Sequence, residues 1–131
     1  MLYAILCYHD EDHVGSWTKE QDAAVMKKLS VVHDKLAKQG RLGPVARLLP
    51  TTAATTLRKD DPPLVLDGPF AETKEQLLGL YVVNCANADA ALDVARDLRR
   101  VNPSAVYEIR PIRLYLPGES LPEIAAEGGQ A

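Results

Sequence analysis

The sequence is short of the residues that announce chemistry. Among its 131 residues are only two cysteines, Cys7 and Cys85, a single tryptophan and a single phenylalanine. Each cysteine sits inside an apolar run and neither has a ligand-spaced neighbour, so both read as small buried hydrophobes rather than as a metal or redox pair. No apolar stretch approaches the roughly 18 residues that span a bilayer. The opening "MLYAILCY" has no basic region ahead of it and stops at His9, which reads as a strand and not a secretory signal, so no membrane partner and a cytoplasmic location are expected. Charge of one sign is missing too: 15 basic residues against 18 acidic ones leave a net charge of -3, which offers no electrostatic footprint for nucleic acid. Phosphate loops of the GxxxxGK(S/T) or GxGxxG type, a GxSxG elbow and zinc spacing are all absent, so no cofactor or metal is expected.

What is present fits one domain, long enough to bury roughly two-thirds of the surface of its unfolded chain. Leu2 to Tyr8 is a continuous apolar run, consistent with a strand in a sheet interior. Thr18 and Gln21 stand in capping-box spacing ahead of a helix that Gly40 stops, and Val25, Leu29, Val32 and Leu36 give it one apolar stripe suited to packing on a sheet. "RLGPVARLLP" reads as a second strand, interrupted by Gly43 and Pro44 and therefore at an edge or bulged. "TTLRK" and "LVLDG" around "DDPP" predict an inserted hairpin, and "LLGLYVVNCA" the next strand. Asn87 caps a helix from about Ala88 to Arg100 with Ala91, Val94, Ala95 and Leu98 inward, and "AVYEIRPIRLYL" closes the sheet. Residues 1–116 form the domain and 117–131, rich in Gly, Glu and Pro, a flexible tail.

This order predicts an α+β fold: a ferredoxin-like βαββαβ sandwich with an inserted β-hairpin, with a mixed sheet carrying both helices on one face. The other face needs a cover, and a second copy of the chain is the economical one, so a homodimer is expected.

Four groups of residues are candidates for chemistry. His33-Asp34 resembles a dyad, but successive helical residues point about 100° apart, so His33 reads as a half-buried boundary residue. His9, Asp10, Glu11, Asp12 and His13 cluster at the end of the first strand, and His9, nearest the rigid strand, is the acid/base candidate, with Tyr8 beside it as a ligand contact. In "LDGPFAETKE", Gly68 permits a positive φ and Pro69 fixes its own, giving a rigid bend. Phe70 then either anchors the turn in the core or walls a pocket, with Asp67 at the pocket mouth and Lys74 or Glu75 on a short lid; a plain turn is the alternative. On the last strand Glu108 and Arg110 share a face, as a cross-strand ion pair or with Arg110 holding an anion.

"DGPFAETKEQLLGLY" at Asp67 to Tyr81, together with "LYAILCY" and "YEIRPI", resembles the YCII-related proteins, and within them the DGPF-domain group. The resemblance implies a ferredoxin-like domain that pairs into a dimeric α+β barrel. It also implies one of two functions. One is an accessory role linked to a sigma factor, beside which the rigid turn and the lack of a recognised catalytic set point to a binding protein holding a small molecule near the DGPF turn. The other is a small lyase, dehydrochlorinase-like; read from the residues themselves, the enzyme alternative in this chain is a lyase or isomerase moving a proton on a small cyclic substrate, with Asp67 as base and His9 as its protonating partner. Anchored at Gly40-Arg41-Leu42, the helical histidine of the YCII type falls on Leu29, so neither His9 nor His33 inherits that role.

Overall fold

The computed structural model describes residues 1–124. Strand β1 (Leu2–Asp10) leads into a short helix α1 (Glu11–Gly15), then the long helix α2 (Lys19–Lys38) and strand β2 (Leu42–Arg47). After a 3-10 turn at Thr51–Ala53 come β3 (Thr55–Leu57) and β4 (Val65–Asp67), followed by β5 (Glu75–Asn84), α3 (Ala88–Val101) and β6 (Val106–Pro111). The main sheet has the order β2-β5-β1-β6, and β3 with β4 form a separate two-stranded sheet.

The expected α+β, ferredoxin-like order is present, but the main sheet is not mixed, because each of its pairings is antiparallel. β1 and β2 run in the same direction, yet β5 lies between them; β5 and β6 are likewise separated by β1. Each crossover helix therefore spans a split βαβ unit, and no parallel pair ever forms hydrogen bonds.

Helix α2 starts where the threonine requires it. Thr18 Oγ1 accepts from the Gln21 backbone N–H at 3.1 Å while Gln21 Oε1 accepts from the Thr18 N–H at 3.0 Å, a complete capping box. Asn87 caps α3 in the same way, accepting from the Ala90 N–H at 2.9 Å. Ala91, Val94, Ala95 and Leu98 of α3 and Leu29 and Leu36 of α2 are buried against Tyr3, Ile5, Tyr81 and Val83 of the sheet. The core thus lies between the two helices and the odd-numbered residues of β1 and β5.

Two irregularities shape the sheet. β1 and β5 change register between Cys7 and Tyr8, where Cys7 pairs with Gly79 but Tyr8 pairs with Leu77, leaving Leu78 as the bulged residue. β2 shifts register between Leu42 and Val45, at the Gly-Pro predicted to interrupt it. Residues 112–124 carry neither helix nor strand, and the rest of the tail expected from Pro117 lies outside the described residues.

Candidate functional site

The sequence directs attention first to the DGPF turn. Gly68 adopts φ +97° and donates its N–H to the Ala54 carbonyl at 2.7 Å, while its own carbonyl accepts from Thr56 Oγ1 at 2.7 Å. The bend is as rigid as Gly-Pro suggests. Its aromatic is not an anchor, however: Phe70 is 78% exposed, because β3 and β4 pair only with each other and offer no core for the ring to enter. Phe70 and Pro69 instead flank a wide, shallow groove with Leu48, Leu49 and Pro50. Lys74 faces a different depression, beside Asp10, Glu11 and Asp12. Asp67 is exposed and lines neither of these.

A more enclosed cavity of about 90 Å³ lies on the helix side of the sheet, between α2, the bulge and the end of β2. It arises where the core stripe of β1 turns polar: Tyr3, Ile5 and Cys7 are followed on the same face by His9. Gly79, opposite Cys7, contributes no side chain there, and a Cβ on it would sit 3.1 Å from the Ala46 carbonyl oxygen. The walls are largely apolar, with Val14, Trp17, Val25, Met26, Leu29 and Val45. Into this apolar space project His9, His33, Tyr81, Arg47, Cys7 and Asn102.

Each polar group is held by a different element. His9 is 3% exposed; its Nε2 hydrogen-bonds Ser104 Oγ at 3.0 Å, and its ring stacks on His13 at 5.6 Å while Trp17 meets both rings edge-on. His33 Nε2 hydrogen-bonds the Tyr81 hydroxyl at 3.1 Å. Arg47 donates to both oxygens of Asp22, at 3.2 and 2.7 Å, tying the edge strand to α2 across the cavity. Asn102, 6% exposed at the end of α3, donates from Nδ2 to the Tyr107 hydroxyl at 3.1 Å. Helix α1, which carries His13 over His9, is fixed at its N-terminal end. Asp10 accepts from the Asp12 N–H at 3.0 Å, and the Glu11 carboxylate accepts from the Thr51 N–H at 2.7 Å and from the Thr51 hydroxyl.

Electrostatics favour neutral groups in this space. Burial pushes both histidines below the ordinary imidazole value; for His9 the Asn102 side chain and the Asp10 backbone oppose this, and for His33 the Asp34 carboxylate does. Burial likewise raises the Cys7 thiol, and lifts Tyr81 to about 12. Asp22 beside Arg47 is held below the usual carboxylate value. The arrangement is suited to holding a small apolar molecule by a few directional hydrogen bonds.

The cavity contains one of the two residues proposed from sequence as an acid/base pair, His9, and not Asp67. Tyr8 and Arg110 point away from it: Tyr8 donates to Glu108 at 3.2 Å, and Arg110 lies 3.9 Å from Glu108, on the sheet face that carries no helix. Glu108 and Arg110 pair with each other along β6 and not across strands as expected, and with both side chains exposed such a pair contributes under about 1 kcal/mol. Sequence reasoning missed Trp17, Arg47, Tyr81 and Asn102, and set His33 aside. A signal for two of them was available: Tyr81 keeps the parity of the buried strand face, as His9 does on β1, and His33 borders the α2 stripe, so polar groups were continuing apolar patterns toward one place.

A family model for the YCII-related domain matches residues 1–115. An uncharacterized protein of Rhizobium meliloti (strain 1021) is 60% identical over 121 residues, covering 91% of this chain and 98% of the relative. The chain belongs to the YCII-related family.

Proposed function

We propose that this protein binds a small, mainly apolar molecule in the cavity between α2 and the β1–β5 bulge. The observation that carries the reading is the convergence of His9, the His33–Tyr81 pair and Asn102 on one apolar recess that a glycine at position 79 keeps open. Apolar walls with a few fixed polar groups are the usual composition of a ligand site. A space of about 90 Å³ suits a compact ligand, or one end of a larger molecule that reaches out through the mouth.

A second reading, a proton-transfer enzyme of the lyase or isomerase type, is favoured by one feature. His9 is an almost fully buried imidazole kept neutral by its surroundings, as a general base acting near neutral pH must be. Homodimer formation belongs to either reading, because the face opposite the helices presents Ala4, Leu6, Leu80 and Val82 only half-buried.

Trp17 is the sole tryptophan of the chain and lines the cavity, so its fluorescence reports occupancy directly. Titration with compact neutral organic molecules is expected to shift Trp17 emission for some of them. The variant Val25→Phe, which places a ring in the recess, is expected to abolish that response. Emission indifferent to every probe, or a response that survives Val25→Phe unchanged, would sink the reading.

A further inference from the structure

Two buried polar atoms have no hydrogen-bond partner among the described residues: His9 Nδ1 and Asn102 Oδ1. Both residues line the cavity, and their other polar atoms are committed, Nε2 to Ser104 and Nδ2 to Tyr107. The Tyr107 bond orients the amide, so the free atom of Asn102 is an acceptor and demands a donor. The Ser104–Nε2 contact allows either direction, and the Asn102 oxygen beside the ring selects the tautomer in which the Ser104 hydroxyl donates to Nε2 and the free Nδ1 is an N–H donor that demands an acceptor. The Asn102 oxygen is near enough to the ring to favour its charged form, yet the two atoms complete no hydrogen bond with each other. A buried unpaired group of either kind costs about 1–3 kcal/mol, so the site selects strongly for whatever satisfies both.

We infer that this pair is a hydroxyl subsite, and that the ligand of the cavity is a compact neutral molecule whose single OH accepts from His9 Nδ1–H and donates to Asn102 Oδ1. Charge excludes the competing classes. An ammonium would meet no carboxylate among the cavity-lining residues and would face Arg47. A carboxylate or phosphate would set its lone pairs against Oδ1. An amide offers its donor and acceptor on two separate atoms, whereas two neighbouring partners suit the one oxygen of a hydroxyl. The inference rests on the cavity being a ligand site and adds the class of ligand.

The test compares cyclopentanol with cyclopentane, cyclopentylamine, cyclopentanecarboxylate and cyclopentanecarboxamide, read by Trp17 emission and by the ring resonances of His9. Cyclopentanol is expected to bind about five- to ten-fold more tightly than the others, the factor of one well-formed hydrogen bond. Asn102→Leu is expected to erase that preference while cyclopentane still binds. Equal binding of cyclopentane, tighter binding of the amine, carboxylate or amide, or a preference unaffected by Asn102→Leu overturns the hydroxyl subsite and leaves the pocket standing. Should no probe perturb Trp17 or His9, the pocket reading falls, and the subsite with it. Should Asn102→Leu not fold, the ¹⁵N spectrum of the wild-type protein decides: His9 is expected as the Nδ1–H tautomer, shifting toward Nε2–H in Ser104→Ala, and an Nε2–H tautomer in the wild type overturns the assignment.

Discussion

Removing the imidazole of His33 should destabilise the fold more than its half-buried position suggests. Tyr81 is 7% exposed, and its hydroxyl hydrogen-bonds His33 Nε2 at 3.1 Å. His33→Phe leaves that hydroxyl unpaired in an apolar recess, at a cost of about 1–3 kcal/mol, from which the added apolar contact of the phenyl ring subtracts. A net loss of about 1–2 kcal/mol is expected, or roughly 3–8 °C in Tm for a chain of this size. Tyr81→Phe should cost less, because it leaves behind an imidazole that borders the cavity and is already neutral near pH 7. The double variant replaces both partners and should lie close to wild type, since deleting a whole hydrogen-bonded pair is nearly neutral where deleting half is not. Urea unfolding of the four proteins closes the cycle, with a coupling energy of about 1–3 kcal/mol expected at constant m-value. Spectrophotometric titration of wild-type Tyr81, the group raised to about 12, provides an independent check on its burial. A neutral His33→Phe, or strictly additive single variants, would refute the claim that this pair holds the cavity wall.

Four further outcomes follow from the same structure. Gly43→Ala should cost about 1–3 kcal/mol, because its Cβ would stand 3.0 Å from the Val82 carbonyl oxygen and 3.2 Å from Val82 Cβ. Gly68→Ala has open space but a φ of +97°, so it should cost about 1–2 kcal/mol with Gly68→Asn milder; thermal unfolding showing either alanine neutral would contradict the close approach or the strained turn respectively. Both His9 and His33 are depressed from 6.5 in the fold, so the unfolded chain binds more protons below that value. The stability they contribute is complete above about pH 6.5 and declines as pH falls through 6.5 toward their folded values, so Tm that stays flat or rises from pH 7.5 to pH 5 would be inconsistent with burial of neutral imidazoles. Sedimentation at micromolar concentration should give a dimer, weakened by Leu80→Lys on the helix-free face, whereas a monomer would show that this face needs no cover.

Much of the fold was legible because local chemistry and global packing agree here. The Thr18–Gln21 box, the Asn87 cap and the inward residues of α3 are where their patterns place them. Helix α1 was not legible, being five residues long and held by Asp10 and by the Glu11 contacts to distant Thr51. The antiparallel sheet needed knowledge of strand order, which periodicity does not encode. The candidate site was half legible. His9 could be singled out as the polar end of a rigid strand, but Arg47 and Asn102 look like ordinary charged and capping residues until the fold brings three elements together. Of the two expectations for Phe70, the core anchor fails because this hairpin stands apart from the main sheet, and what the ring does is flank a groove.

The most direct test of the central claim is a crystallographic soak with compact neutral fragments, refined at a resolution that orders single molecules. The account requires density between His9, His33, Tyr81 and Asn102 on the helix side of the sheet. Fragments that gather instead along the Phe70 groove beside Asp67, with the His9 recess occupied only by solvent, would contradict it.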